Sequence, residues 1–103
     1  MRNLSWITVD MYLYKEKKGF RFGKENIIAY WCNRDAMLRY FHNNAEQINY
    51  QVYMISKSIL EGLIKELKQS QKEQELIPEL KEILNNFDED KEEMRFMWKS
   101  KLY

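Results

Sequence analysis

Residues 27–44 read IIAYWCNRDAMLRYFHNN, and the secondary structure given to them decides the fold. Ile28, Trp31, Leu38 and Phe41 recur at intervals of three and seven, the spacing of one helical face. Periodicity therefore predicts a single helix from about Lys24 to Asn43-Asn44. The stretch also holds the chain's only Cys and only His. On a straight helix Cys32 and His42 would be turned about 80° apart and separated by about 15 Å along the axis, too far to meet. Each has a structural reading instead: Cys32 as a small buried hydrophobe beside a core Trp, His42 as a partner for the helix C-terminus.

Upstream, Leu4 to Tyr14 alternate, with Ile7, Val9, Met11 and Leu13 on one face and Trp6, Thr8, Tyr12 and Tyr14 on the other. This predicts a strand with two useful faces. KEKKGFRFGKEN places Gly19 and Gly23 around Phe20 and Phe22, a turn and a short second strand completing a hairpin. Downstream, INYQVYM alternates again and reads as a third strand. Ser58 with Glu61 matches a capping box, and Leu60, Leu63, Ile64 and Leu67 mark a second helix reaching about Gln71. Pro78 as first helical residue, followed by Leu80, Ile83, Leu84 and Phe87, gives a third helix. MRFMWKSKLY fits either a strand (Met94, Phe96, Trp98) or a helix (Met94, Met97 or Trp98, Leu102), and the reading leans towards a helical end. The expected class is α+β, a small mainly antiparallel sheet of about three strands packed against two to four helices.

A chain of 103 residues suits one domain, with residues 1–55 forming a hairpin, helix and strand, and 56–103 a helical part with an acidic segment. A hydrophobic fraction of 45% with only three Gly and one Pro is a globular composition. One Cys excludes an internal disulfide, and no apolar run approaches the roughly 18 residues that span a membrane. MRNLSWITVD has no signal-peptide core before it turns polar, so the expected location is a reducing cytoplasm.

Nucleotide-cradling and nucleophile-elbow motifs are absent from the sequence. One Cys and one His do not make a zinc set, and Asp88-x-Asp90 lacks the Gly and bidentate Glu of a calcium loop. No catalytic residue, metal or cofactor is expected. Charge is unevenly spread. Residues 15–24 hold Lys15, Lys17, Lys18, Arg21 and Lys24 against Glu16, net +4, interleaved with Tyr14, Phe20 and Phe22, the mixture that neutralises phosphates and stacks bases. Residues 73–93 carry nine carboxylates against Lys81 and Lys91, net −7.

VDMYLYK, the IIAYW segment and INYQVYMISKSILEGLIKEL together resemble a family of small uncharacterised proteins of phages and prophages, over roughly residues 8–68. Its members open Met-Gly-Leu-Asp-Met-Tyr-Leu and carry a Tyr-Trp-Arg-Lys-Ala-Asn-x-Ile-His-x-Trp-Phe helix. Asp10-Met11-Tyr12-Leu13 and Tyr30-Trp31 are the most specific matches, with Phe41 in place. Cys32, Asn33, Arg34 and Asp35 stand where Arg-Lys-Ala-Asn is usual, and Leu38 replaces the family His, with His42 one helical turn away. A phage-type origin and a separated acidic segment resemble a small non-enzymatic inhibitor of a host protein, such as a CRISPR effector or another defence nuclease. Glu82, Asp88, Glu89, Asp90, Glu92 and Glu93 would then occlude a nucleic-acid channel, with Phe87, Phe96 or Trp98 as aromatic anchors. Two other readings are a nucleic-acid-binding module using Lys15, Lys17, Lys18, Arg21 and Lys24, and a self-associating accessory protein using exposed Tyr12, Tyr14 and Tyr53.

Overall fold

The computed structural model of the protein describes residues 7–102, so Leu4 to Trp6 of the expected first strand lie outside the described residues. The elements in order are β1 (Ile7–Lys17), a 3-10 turn (Lys24–Asn26), β2 (Ile27–Cys32), α1 (Asp35–Asn44), β3 (Glu46–Asn49), β4 (Val52–Ile55), α2 (Lys57–Ser70), α3 (Leu76–Asn85) and β5 (Glu92–Leu102). The five strands form one antiparallel sheet in the order β2-β1-β5-β4-β3. The class is α+β as expected, with five strands rather than about three.

The extra strands come from three segments. The 27–44 stretch is not one helix: it is an edge strand, a corner and a helix, because Asn33 takes a left-handed φ of 53° that a helix cannot pass through. Asn33 donates its N–H to the Val9 carbonyl (2.9 Å), and its Oδ1 accepts the Val9 N–H (2.8 Å), so the corner closes the β1–β2 ladder. Ile27, Ile28, Tyr30 and Trp31 are β-branched or aromatic, which suits a pleated surface. The register slips by one between Leu13 and Tyr14, a bulge that takes up Ile28. The helical stripe that remains is Met37 and Phe41, both buried, with Leu38 partly so.

The single strand expected at INYQVYM is a hairpin, β3 turning into β4 at Tyr50-Gln51. Asn49 Oδ1 accepts the Gln51 N–H at 3.4 Å and Gln47 Nε2 donates to the Tyr50 carbonyl at 2.8 Å, a local turn that breaks the alternation. The segment read as a helical end is β5, the central strand, paired with β1 from Ile7↔Leu102 to Lys17↔Glu92 and with β4 on its other side. Met94 and Phe96 alternate inward while Arg95 and Met97 point away, and pairing on both sides outweighs the weak helical spacing. The second strand expected near Phe20 and Phe22 is absent from the described structure: residues 18–23 form a turn and loop, with Gly19 at φ 84°.

All three helices cover one face of the sheet. Met11, Leu13, Tyr53, Ile55, Met94 and Phe96 meet Met37, Phe41, Leu60, Leu63, Leu67, Leu76 and Leu80 in one core, and the Phe41 and Phe96 rings lie 4.6 Å apart. Ser56, rather than Ser58, caps α2, its Oγ accepting the Ile59 N–H at 3.2 Å. Helix α3 begins two residues before Pro78, at Leu76.

Candidate functional site

Among the described residues no helix lies over the opposite face of the sheet. Alternation puts Asp10, Tyr12, Tyr14, Tyr30, Cys32, Arg95, Met97 and Lys99 there, because Met11, Leu13, Ala29, Trp31, Met94 and Phe96 face the helices. Four rings form a chain across it. Tyr30 and Tyr12 have centroids 5.2 Å apart, Tyr12 and Tyr14 6.3 Å, and Tyr14 meets Phe22 edge-on at 6.5 Å. Register explains the order: Tyr12 lies opposite Tyr30 in the β1–β2 ladder, and Tyr14 follows Tyr12 on the same strand face. Tyr30 is 51% exposed.

At one end of this chain Tyr30 Oη donates to Asp10 Oδ1 at 2.7 Å and lies 2.8 Å from Cys32 Sγ. Those contacts, first to Cys32 and then to the Asp10 carboxylate, hold the Tyr30 phenol well above the ordinary tyrosine range. Cys32 Sγ donates to Asp10 at 3.5 Å. Tyr30 Oη, Cys32 Sγ and Asp10 Oδ1 thus partner one another in one polar cluster. His42 is elsewhere, on α1 on the helix side, with Nδ1 2.9 Å from Tyr53 Oη.

At the other end the Arg95 guanidinium sits 4.5 Å from the centroid of Phe22, and its Nη2 is 3.8 Å from Glu93 Oε2. Tyr14, Phe22, Lys24, Val52, Arg95 and Met97 surround a cavity of about 320 Å³ there. Burial, and after it the neighbouring Tyr12, push the Tyr14 phenol up.

The basic residues fall in two groups. Lys17, Lys18, Arg21 and Lys24 are exposed on or beside the β1–β2 connection, with Phe20 63% exposed among them. Lys15 points to the helix side and is engaged there, donating to the Asn86 carbonyl at 2.8 Å and standing 3.7 Å from Glu92.

Most of the acidic segment is engaged inside the molecule. Glu73 accepts the Ala36 and Met37 N–H groups at the start of α1 (2.8 and 3.2 Å), Glu79 accepts Trp31 Nε1 (2.7 Å), and Glu89 accepts the Lys57 N–H at the start of α2 (3.0 Å). Glu92 accepts the Asp88 N–H at 2.9 Å, and Asp88 accepts that of Asp90 at 3.1 Å. Glu93 faces Arg95, and Glu82 and Asp90 are exposed.

Two of the three expected anchors are core residues, Phe87 being 2% and Phe96 0% exposed, because alternation along β5 and the end of α3 turns them inward. Trp98 is partly buried. Tyr53, expected on an exposed face, is 2% exposed for the same reason. A helix over 27–32 and a helical lean over 94–103 place Tyr30, Arg95 and Met97 on no sheet face, whereas β2 and β5 put all three on this one. The signal was present in the alternation of Met94, Phe96 and Trp98 with Arg95, Met97 and Lys99.

Among the described residues no three of His, Cys, Asp and Glu gather to hold a metal ion, and no helix is long and apolar enough to cross a membrane. The architecture of the described residues is thus a two-layer α+β sandwich with one aromatic sheet face that no described helix covers. No family model, curated protein or solved structure matches the chain.

Proposed function

We propose that the protein is a non-enzymatic module that binds single-stranded nucleic acid across the aromatic face of its sheet. The observation that carries this reading is the chain of rings Tyr30, Tyr12, Tyr14 and Phe22, on a face that no helix among the described residues covers. Bases stack on such rings irrespective of sequence, each contact contributing about 1–3 kcal/mol. The charges support the same occupant. Arg95 and Lys99 stand on the face, and Lys18, Arg21 and Lys24 lie on the loop and turn beside it, where they can meet the phosphates of a bound strand, while the exposed carboxylates Glu82 and Asp90 belong to α3 and the loop before β5.

The test is fluorescence anisotropy with labelled oligo-U and oligo-dT against a duplex of equal length, over a salt series. Single strands should bind more tightly than duplex, and affinity should fall as salt rises. Tyr12→Leu with Tyr30→Leu should cost about 2–6 kcal/mol if two bases lose their rings. No saturable binding at low salt, or equal binding by duplex and by the double variant, sinks the proposal.

A second reading has its own observation. Glu82 and Asp90 are exposed and their carboxylates make no hydrogen bond or ion pair among the described residues, which leaves them available to a basic channel in a defence nuclease. Phage-type inhibition by occlusion would then depend on them, in the cytoplasm of the host. Capture of such a nuclease by the native chain, and its loss with Glu82→Gln and Asp90→Asn, would support this mode; equal capture by both would refute it.

A further inference from the structure

The cavity at the Phe22 end of the face combines features that the rest of the face lacks. Its volume, about 320 Å³, falls at the lower end of the about 300–1,000 Å³ of small-ligand pockets. Its walls are chemically divided. Tyr14, Phe22, Val52 and Met97 supply apolar and aromatic surface, whereas Lys24 and Arg95 supply two cations. An all-apolar cavity would suit an aliphatic group, and a purely basic one an inorganic anion. A planar ring joined to an anion uses both walls.

Arg95 is held ready for such a ligand. Its guanidinium lies over Phe22 at 4.5 Å, which fixes its plane. Its only ion-pair partner among the described residues is Glu93, at 3.8 Å, too long for a strong charge-assisted hydrogen bond, and its Nε has no acceptor. Glu93 is itself badly placed, since it lies opposite Glu16 in the β1–β5 ladder. A phosphate oxygen would be a better partner for Arg95 than the carboxylate that now faces it, and Lys24 opens on the same space.

We infer that this cavity is a nucleotide subsite, taking one base against Phe22, Tyr14 and Met97 with its phosphate on Arg95 and Lys24. The inference rests on the nucleic-acid reading and deepens it: the subsite anchors one nucleotide, and the strand continues over Tyr14, Tyr12 and Tyr30. Glu93 acts as a built-in competitor for the phosphate.

The experiment is a titration with AMP, with adenosine and with inorganic phosphate, followed by nuclear magnetic resonance at the Arg95 Nε–H and the Phe22 ring, beside the oligonucleotide assay. AMP should shift both signals saturably and more tightly than adenosine or phosphate. Arg95→Gln should weaken AMP at least about tenfold, the loss of a charged hydrogen bond. Glu93→Gln, which leaves Arg95 in place and cannot be dismissed as a folding failure, should tighten it. Lys65→Gln, the same charge change on exposed α2, is the control.

Oligonucleotide binding without any AMP shift at these signals, and with Arg95→Gln no worse than Lys65→Gln, would overturn the subsite and leave the sheet-face reading standing. AMP bound in the cavity with no oligonucleotide binding would support the subsite and sink the sheet-face reading. Phosphate alone matching AMP, or Glu93→Gln weakening it, would overturn the inference.

Discussion

Replacing Asn33 tests why the 27–44 stretch is not a helix. At φ 53° a residue with a Cβ is strained by about 1–2 kcal/mol unless, like Asn, it tolerates the left-handed region. Asn33 also contributes its Oδ1 to the Val9 N–H at 2.8 Å, a bond near the surface and so taken at about 0.5–1 kcal/mol. Asn33→Ala loses both, about 1.5–3 kcal/mol. Asn33→Gly loses the bond but relieves the backbone, and a more flexible unfolded chain offsets part of that relief, leaving about 0.5–1.5 kcal/mol. Asn33→Asp keeps an acceptor in place and should be the mildest of the three. With about 4–8 °C per kcal/mol for a domain of this size, Asn33→Ala should lower Tm by roughly 6–24 °C, and urea midpoints should rank Ala below Gly below Asp. If Gly falls as far as Ala, backbone strain is not the reason for the corner. If Asp falls as far as Ala, the Val9 bond is not.

Ser56→Ala should cost about 1 kcal/mol in urea denaturation and Ser58→Ala a few tenths at most, the reverse of what the capping-box spacing implies. Gly62→Ala, usually worth about 0.5–1 kcal/mol in a helix, should instead destabilise, because the new Cβ would collide with the Tyr40 hydroxyl; in a Tyr40→Phe background its cost should shrink or reverse, read from a double-mutant cycle. The Tyr30 phenol, raised above its ordinary 10.0 by Cys32 and Asp10, makes a contribution to stability that is complete below that value and lost as pH climbs towards its folded value. In Tyr30→Phe the fall in stability above about pH 10 should be shallower, and ultraviolet tyrosinate titration should lose its latest-ionising group; an unchanged titration would show that Tyr30 is not so held.

What the sequence made legible follows from how local each signal was. Helix α2 and the alternation of β1 repeat over many residues, and both were readable. Ile28, Trp31, Leu38 and Phe41 fit a helical stripe by coincidence: Trp31 belongs to a strand and Phe41 to a helix, and the corner between them depends on Val9, twenty-four positions earlier. Local spacing leaves β5 open between strand and helix with a lean to helix, because a central strand is specified by two neighbours that no local window contains. The surface face suffered most, since Tyr30 and Arg95 could be placed on it only once both strands were known. Glu73, Glu79 and Glu89 looked like one acidic run, yet each meets a separate partner: α1, Trp31 and α2.

The position of β5 also governs how the chain assembles. During synthesis every other element emerges before residues 92–102, yet β5 is the strand that joins the β1–β2 pair to the β3–β4 pair. Without it the β1–β2 and β3–β4 pairs share no strand, and joining them requires pairings such as Met11 with Trp98, far apart in sequence. The five-stranded sheet can therefore be complete only once β5 is in place, and before that the edges of β1 and β4 that it covers are open to mispairing.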